Sequence, residues 1–293
     1  MRRLRPATDA RDTSDAPDIV ARVAALREAV AALADAVPAE TRAAAAALAD
    51  RAGGRRALGG DRTVVALAGA TGSGKSSCFN AIVGLELATV GALRPTTAVA
   101  AACIWGADGA GPLLDWLGVP ARHVAAREGP LGAPRDDGLE GLVLLDLPDH
   151  DSVVQDHRTR VDQLVQLVDL LVWVVDPQKY ADAALHDGYL RPMAAYADVT
   201  VVVLNQADTL APDELEACRR HLRVLLDEDG LAASPLLVTS ARTGLGIHAL
   251  RDVIAERVRS RRAATARLTA DLRIAARTLD EAAGGLLAAD VAG

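Results

Sequence analysis

The sequence predicts an α/β fold in which a mostly parallel sheet is covered on both faces by helices. Three observations carry this. Short apolar runs alternate with amphipathic stretches across residues 61–260. The runs are near-continuously apolar, as strands buried on both faces must be. One run leads through a glycine-rich turn straight into a helical pattern.

The elements follow in chain order. Residues 1–60 open with a polar stretch, then place Ile19, Val23, Leu26, Val30, Leu33 and Val37 at helical spacing. Pro38 interrupts the pattern and a second helix is expected over Thr41–Arg51, before Gly53–Gly54 and Gly59–Gly60 break the chain. Strands are expected at Thr63–Ala68, Ala98–Trp105, Gly141–Leu145, Leu170–Val175, Val199–Leu204 and Pro235–Val238. Helices are expected at Lys75–Val83, Arg158–Val168, Ala181–Ala197, Pro212–Asp229 and Ile247–Arg259. The Gly- and Pro-rich stretch around 107–138 reads as an insertion with a short helix near Leu113–Leu117. Residues 261–293 read as a separate C-terminal helix, with Leu268, Leu272 and Leu279 on one face, packing on or near the N-terminal helices.

Composition excludes several classes. At 293 residues, 51% apolar and 24% charged, the chain is long and apolar enough to bury a core and is not disordered. No apolar run approaches the roughly 18–20 residues of a membrane span. The start, MRRLRPATDARD, has no apolar segment of the secretory kind. Cys78, Cys103 and Cys218 lack metal spacing and read as buried, reduced thiols of a cytoplasmic protein. A net charge of −7 argues against a DNA-coating surface. Of 32 basic residues, 30 are Arg; the two Lys are Lys75 and Lys179, and the two Asn are Asn80 and Asn205. Such rare residues in an Arg- and Ala-rich chain merit attention.

The chemistry concentrates at strand ends. Gly69-Ala70-Thr71-Gly72-Ser73-Gly74-Lys75-Ser76 is a full G-x-x-x-x-G-K-S match between a strand and a helix, the context of a phosphate-binding loop. Glycines let successive backbone N–H groups curl toward phosphate, the helix N-terminus adds positive potential, Lys75 reaches the β- and γ-phosphates, and Ser76 ligates Mg²⁺; Ser77 follows in the same turn. The strand Gly141–Leu145 runs into Asp146, a carboxylate placed to hold Mg²⁺. The strand ending at Leu204 leads to Asn205-Gln206-Ala207-Asp208, where a carboxylate suits guanine N1–H and its 2-amino group; adenine offers neither donor. After the next strand, Thr239-Ser240-Ala241 brings backbone N–H groups suited to guanine O6.

These motifs, with Asp146-Leu147-Pro148-Asp149, resemble those of translation-factor-type P-loop GTPases of the Era-like and dynamin-like bacterial branch, over about residues 61–260. The resemblance implies a three-layer sandwich flanked by terminal helices, Mg²⁺ as cofactor, and GTP and GDP as ligands. It implies a switch I segment at Arg94-Pro95-Thr96-Thr97, with Thr97 on Mg²⁺ and sensing the γ-phosphate. It makes His150 the candidate for orienting the attacking water. The expected activity is slow GTP hydrolysis driving a molecular switch, sped by an activator such as a second copy across the nucleotide face. The alternatives are a non-hydrolysing guanine-nucleotide-gated module and a P-loop ATPase. The chain departs from the pattern at three places. Asp149 replaces the switch II glycine and sets a carboxylate near the γ-phosphate. Gln206 replaces the usual lysine, keeping much of its stem without its charge. Gly72 stands where potassium-activated relatives carry Asn.

Residues Ala255–Asp280 carry seven Arg against three acids. Two roles fit such a helix: a solvated face packed on the N-terminal helices, or a contact with anionic lipid or ribosomal RNA. The second would place the protein peripherally at the inner membrane or on the ribosome. In dynamin-like relatives, helices flanking the GTPase domain pair into a bundle that relays nucleotide state; residues 17–57 and 261–289 are the expected counterparts. No G-x-x-G follows residue 260, against an RNA-binding KH domain. The apolar end fits the front part of a longer, membrane-attached protein.

Overall fold

The computed structural model describes residues 19–33, 37–53, 62–88, 100–106, 111–116, 119–127, 138–148 and 168–284. Its centre is a seven-stranded sheet of β1 (Thr63–Gly69), β2 (Ala101–Trp105), β3 (Val124–Arg127), β4 (Leu142–Asp146), β5 (Leu170–Val175), β6 (Thr200–Leu204) and β7 (Leu236–Val238). The order is β3-β2-β4-β1-β5-β6-β7. Every neighbouring pair is parallel except β2 with β4, which is antiparallel.

Alternation along β1 explains the layers. Val64, Ala66 and Ala68 belong to one buried cluster, Val65 and Leu67 to another, because successive side chains leave opposite faces. The first face is covered by the helical stretch from Ala183 to Val199, through Leu185, Leu190 and Met193, and by α5 (Pro212–Glu228), through Leu222 and Leu226. The second is covered by α3 (Lys75–Val83), through Cys78, Phe79, Ile82 and Val83, and by α6 (Ile247–Ala282), through Leu250, Ile254 and Val258. This is the three-layer α/β sandwich the sequence predicts. Each fully buried large apolar side chain contributes about 1.5–3 kcal/mol, so the two clusters dominate the stability of this unit.

Several expectations need adjusting. The strand β3 was not predicted; it is short, Ala-rich and at the sheet edge, and lies inside the stretch read as an insertion. The short helix there, α4, spans Gly111–Trp116. The stretch expected as a helix over Ala181–Ala197 is one short α turn, a π segment (His186–Leu190) and a 3₁₀ run (Arg191–Val199). Gly188 and Pro192 explain this, since neither sustains a regular α ladder. The two helices read as Ile247–Arg259 and 261–293 are one helix, α6, through Ala282. No Gly or Pro falls between them, and Arg261-Arg262-Ala263-Ala264 are good helix formers. The helix expected over Arg158–Val168 lies outside the described residues, apart from Val168 in a coil.

The chain divides into two compact units, one of residues 61–266 and one of residues 1–60 with 267–293. In the second unit, α1 (Ile19–Ala32) and α2 (Ala39–Gly53) share a buried cluster of Val23, Leu26, Val37, Ala45 and Ala49 with Leu272 and Leu279. Among the described residues no helix is long and apolar enough to cross a membrane.

Candidate nucleotide site

The site forms where β1, β4 and β6 end at one edge of the sheet. β1 ends at Gly69, the loop follows, and α3 begins at Lys75. Gly74 adopts φ 83°, and a Cβ there would lie 2.3 Å from Asn205 Nδ2. Only glycine permits both the left-handed turn and that approach. Ser77 lies half-buried in the first turn of α3.

Register carries Asp146 to the loop: the last residue of β4, it pairs with Leu67 of β1. Its fully buried carboxylate accepts from Lys75 Nζ at 2.7 Å and from Ser76 Oγ at 2.6 Å. Lysine, hydroxyl and carboxylate thus meet at one point, the three groups a Mg²⁺–phosphate unit requires. Among the described residues no three His, Cys, Asp or Glu side chains group as a metal cage. The donor set of one hydroxyl and one carboxylate, both hard oxygens, fits Mg²⁺, which completes its shell with phosphate and water.

Asn205 joins the two halves of the site. It is buried, its Nδ2 donates to Ser73 O at 3.0 Å, and its Oδ1 accepts from Ala241 N and Thr239 Oγ1, each at 3.2 Å. Gln206, at φ 60°, donates from Nε2 to Gly72 O at 2.7 Å. The glutamine therefore fastens the loop, a task the loss of the lysine charge leaves intact.

Asp208 accepts from Ser240 Oγ and from Arg242, whose Nε lies 2.6 Å from Oδ2. These two partners, Ser240 first, hold its carboxyl below the ordinary carboxylate range. An ionised carboxylate is an acceptor only, which is what N1–H and a 2-amino group require. Arg242 was not foreseen in this role; it follows Ala241 directly, but its pairing with Asp208 joins loops after different strands. The amide of Ala241, expected to serve O6, donates to Asn205 Oδ1, so an O6 contact there must share that hydrogen.

Burial pushes the Cys78 thiol, beneath the loop in α3, up to about 12, and Cys103 likewise to about 12. Cys78, Cys103 and Cys218 are all buried free thiols. Thr97, Thr96, Arg94, Asp149 and His150 lie outside the described residues. Of the seven Arg in the basic stretch, four are engaged: Arg257 on Asp198 O, Arg259 on Glu256, Arg261 on Asp169 and Arg262 on Glu140 O.

Comparison with known proteins agrees with this geometry. Residues 64–206 match the family model described as 50S ribosome-binding GTPase. No curated protein sequence matches the chain. Two structures of an oligomerised bacterial dynamin pair, described as sensing and tethering membranes, are similar over 90% of this chain, at 14% and 13% identity and TM-scores of 0.53 and 0.51. The chain spans about half of those two chains, 47% and 55%. Toc33 from Arabidopsis thaliana with Mg²⁺ and GMPPNP is similar over 77% of this chain and 95% of its own, at 14% identity and a TM-score of 0.44. At such identities the dynamin likeness establishes the fold. The family match, which spans just under half of the chain, and the loop built on Gly69–Ser76 together make the stretch from Val64 to Gln206 similar to a P-loop GTPase domain, on the fold of a P-loop NTPase.

Proposed function

We propose that the protein is a Mg²⁺-dependent GTP-binding and GTP-hydrolysing switch whose flanking helices relay nucleotide state to a partner. One observation carries the reading most directly. The buried Asn205 fastens the phosphate loop, through Ser73 O, to the turn that holds Asp208 and Ser240. A triphosphate grip and a guanine-selecting acid then stand on one rigid floor.

Within this reading, backbone amides of Gly72–Ser76 and the N-terminus of α3 bind the inner phosphates. Lys75 leaves Asp146 for the β- and γ-phosphate oxygens. Ser76 and Asp146 would hold Mg²⁺, directly or through water, and the bound ion would supply neutralisation of phosphate charge. Asp208 accepts from the guanine edge, and the Ala241 turn supplies the O6 donor. By the sequence resemblance, Thr97 would be a further ligand to the metal and His150 would orient the attacking water. No arginine finger is assigned in cis, so intrinsic turnover is slow and an activator, a second copy across the nucleotide face, accelerates it. The family model's description and the remaining exposed Arg of α6 support a ribosomal or anionic-lipid contact, with the protein cytoplasmic and peripheral at the inner membrane.

The test is Asp208→Asn, followed by calorimetry with GDP and xanthosine diphosphate at millimolar Mg²⁺. Preference moves from guanine to xanthine if Asp208 reads the 2-amino group; unchanged preference, or ADP binding as well as GDP, overturns the reading. Asp149 in place of the switch II glycine favours a second reading, a nucleotide-gated module that does not hydrolyse. Single-turnover assays separate the two, since bound GTP intact after hours selects the second.

A further inference from the structure

The chain holds only two lysines, and both reach the phosphate loop. Lys75 enters from α3. Lys179 enters from the turn after β5: its Nζ donates to Thr71 O at 2.9 Å across 108 residues of sequence. Register makes this reach natural, because Val174 of β5 pairs with Gly69 of β1 and so sets the end of β5 beside the start of the loop.

The turn that presents Lys179 is built to hold one shape. Asp176 is buried, and its Oδ1 accepts from Gln178 N at 2.9 Å and Lys179 N at 3.2 Å. The Asp176 carbonyl accepts from Lys179 N and Tyr180 N at 3.2 and 3.0 Å. Lys179 O takes Asp182 N at 3.0 Å, Asp182 caps Ala184 N at 2.9 Å, and the His186 ring contacts Tyr180 O at 2.8 Å. A backbone so fully bonded fixes where the lysine stem begins. The stem ends in a half-buried ammonium with three donors, one of which is used on Thr71 O.

We propose that Lys179 is a second phosphate-binding lysine, serving the terminal phosphate of the bound nucleotide. This rests on the reading of the site as a guanine-nucleotide pocket. The amides of the loop's C-terminal half and the start of α3 already serve the inner phosphates. Thr71 stands in the N-terminal half, four residues before Lys75, where the loop offers no side-chain charge of its own. An ammonium anchored there adds a positive charge for the group that distinguishes tri- from diphosphate. A compact point charge with freely turning donors suits that place better than a planar guanidinium, in a chain that otherwise uses Arg.

Calorimetry on the full chain with GDP and with a non-hydrolysable GTP analogue, at millimolar Mg²⁺, tests the proposal. Lys179→Met is expected to weaken the analogue about tenfold or more while GDP changes less than about twofold, charge-assisted hydrogen bonds having that worth. Lys179→Gln keeps a donor for Thr71 O without the charge, and shows the same split; Lys179→Arg restores part of the analogue affinity. Equal losses for both nucleotides, or none for either, overturn the proposal, because a residue that only staples the loop moves both alike. GDP binding serves as the folding control for each variant; should Lys179→Met not fold, Lys179→Gln decides. Wild-type protein that binds neither nucleotide refutes instead the parent reading of the site.

Discussion

Replacing Asn205 by alanine removes the tie between the phosphate loop and the base-recognition turn, and its cost can be worked from the contacts. Three hydrogen bonds disappear, to Ser73 O, from Ala241 N and from Thr239 Oγ1. The residue is 1% exposed, so water does not simply replace them. Each is worth about 1 kcal/mol net, and the Thr239 hydroxyl can turn to another acceptor, so the loss is about 2–3 kcal/mol. The three tryptophans, Trp105, Trp116 and Trp173, all belong to the unit of residues 61–266, so their fluorescence in urea follows that unit alone. With a denaturant slope of about 2 kcal/mol/M, the midpoint falls by about 1 M. GDP affinity falls about tenfold or more, since loop and turn lose their common fixing. A midpoint shifted by less than about 0.2 M, with GDP affinity unchanged, would refute the claim that Asn205 organises the site.

Other predictions test separate parts of the site. Asp146→Ala takes the carboxylate from the buried Lys75 ammonium; breaking such a pair costs about 3–5 kcal/mol in the ligand-free protein, and chelating Mg²⁺ should then no longer change GDP affinity, read by fluorescence titration. Ser240 and Arg242 hold the Asp208 carboxyl below its ordinary range, so its stabilising contribution is complete above that range and disappears as pH falls through the lowered folded value. Guanine-nucleotide affinity should therefore show no Asp208 limb between about pH 5 and 8, and Arg242→Ala should move the acid limb upward in a binding–pH profile. Asn80→Ala removes the bonds from Leu87 N and Ala88 N, at 3.0 and 2.8 Å, and to Ala88 O, at 2.9 Å; about 2–3 kcal/mol is lost, and hydrogen exchange at Leu87 and Ala88 should accelerate.

Local signals in the sequence reached far at this site. The run Gly69–Ser76 dictates its own loop, because left-handed glycines and a helix start are short-range properties. Apolar runs dictate β1, β4, β5 and β6, since a strand buried on both faces leaves no other pattern. The α6 boundary failed for a related reason: separate helices were expected over Ile247–Arg259 and 261–293, but nothing in Arg261–Ala264 stops a helix. The edge strand β3 carried too few residues and too weak an alternation to announce itself.

By itself the sequence determined a phosphate loop, a strand-end aspartate and an N-x-x-D turn, each a matter of neighbours within a few residues. Only the tertiary structure decided that β2 runs antiparallel to β4, that Asn205 meets Ser73, that Arg242 shares Asp208 with Ser240, and that Lys179 reaches Thr71. The reason is register: strand pairing sets which chain ends share the sheet edge, and that pairing is fixed by burial summed over the whole core.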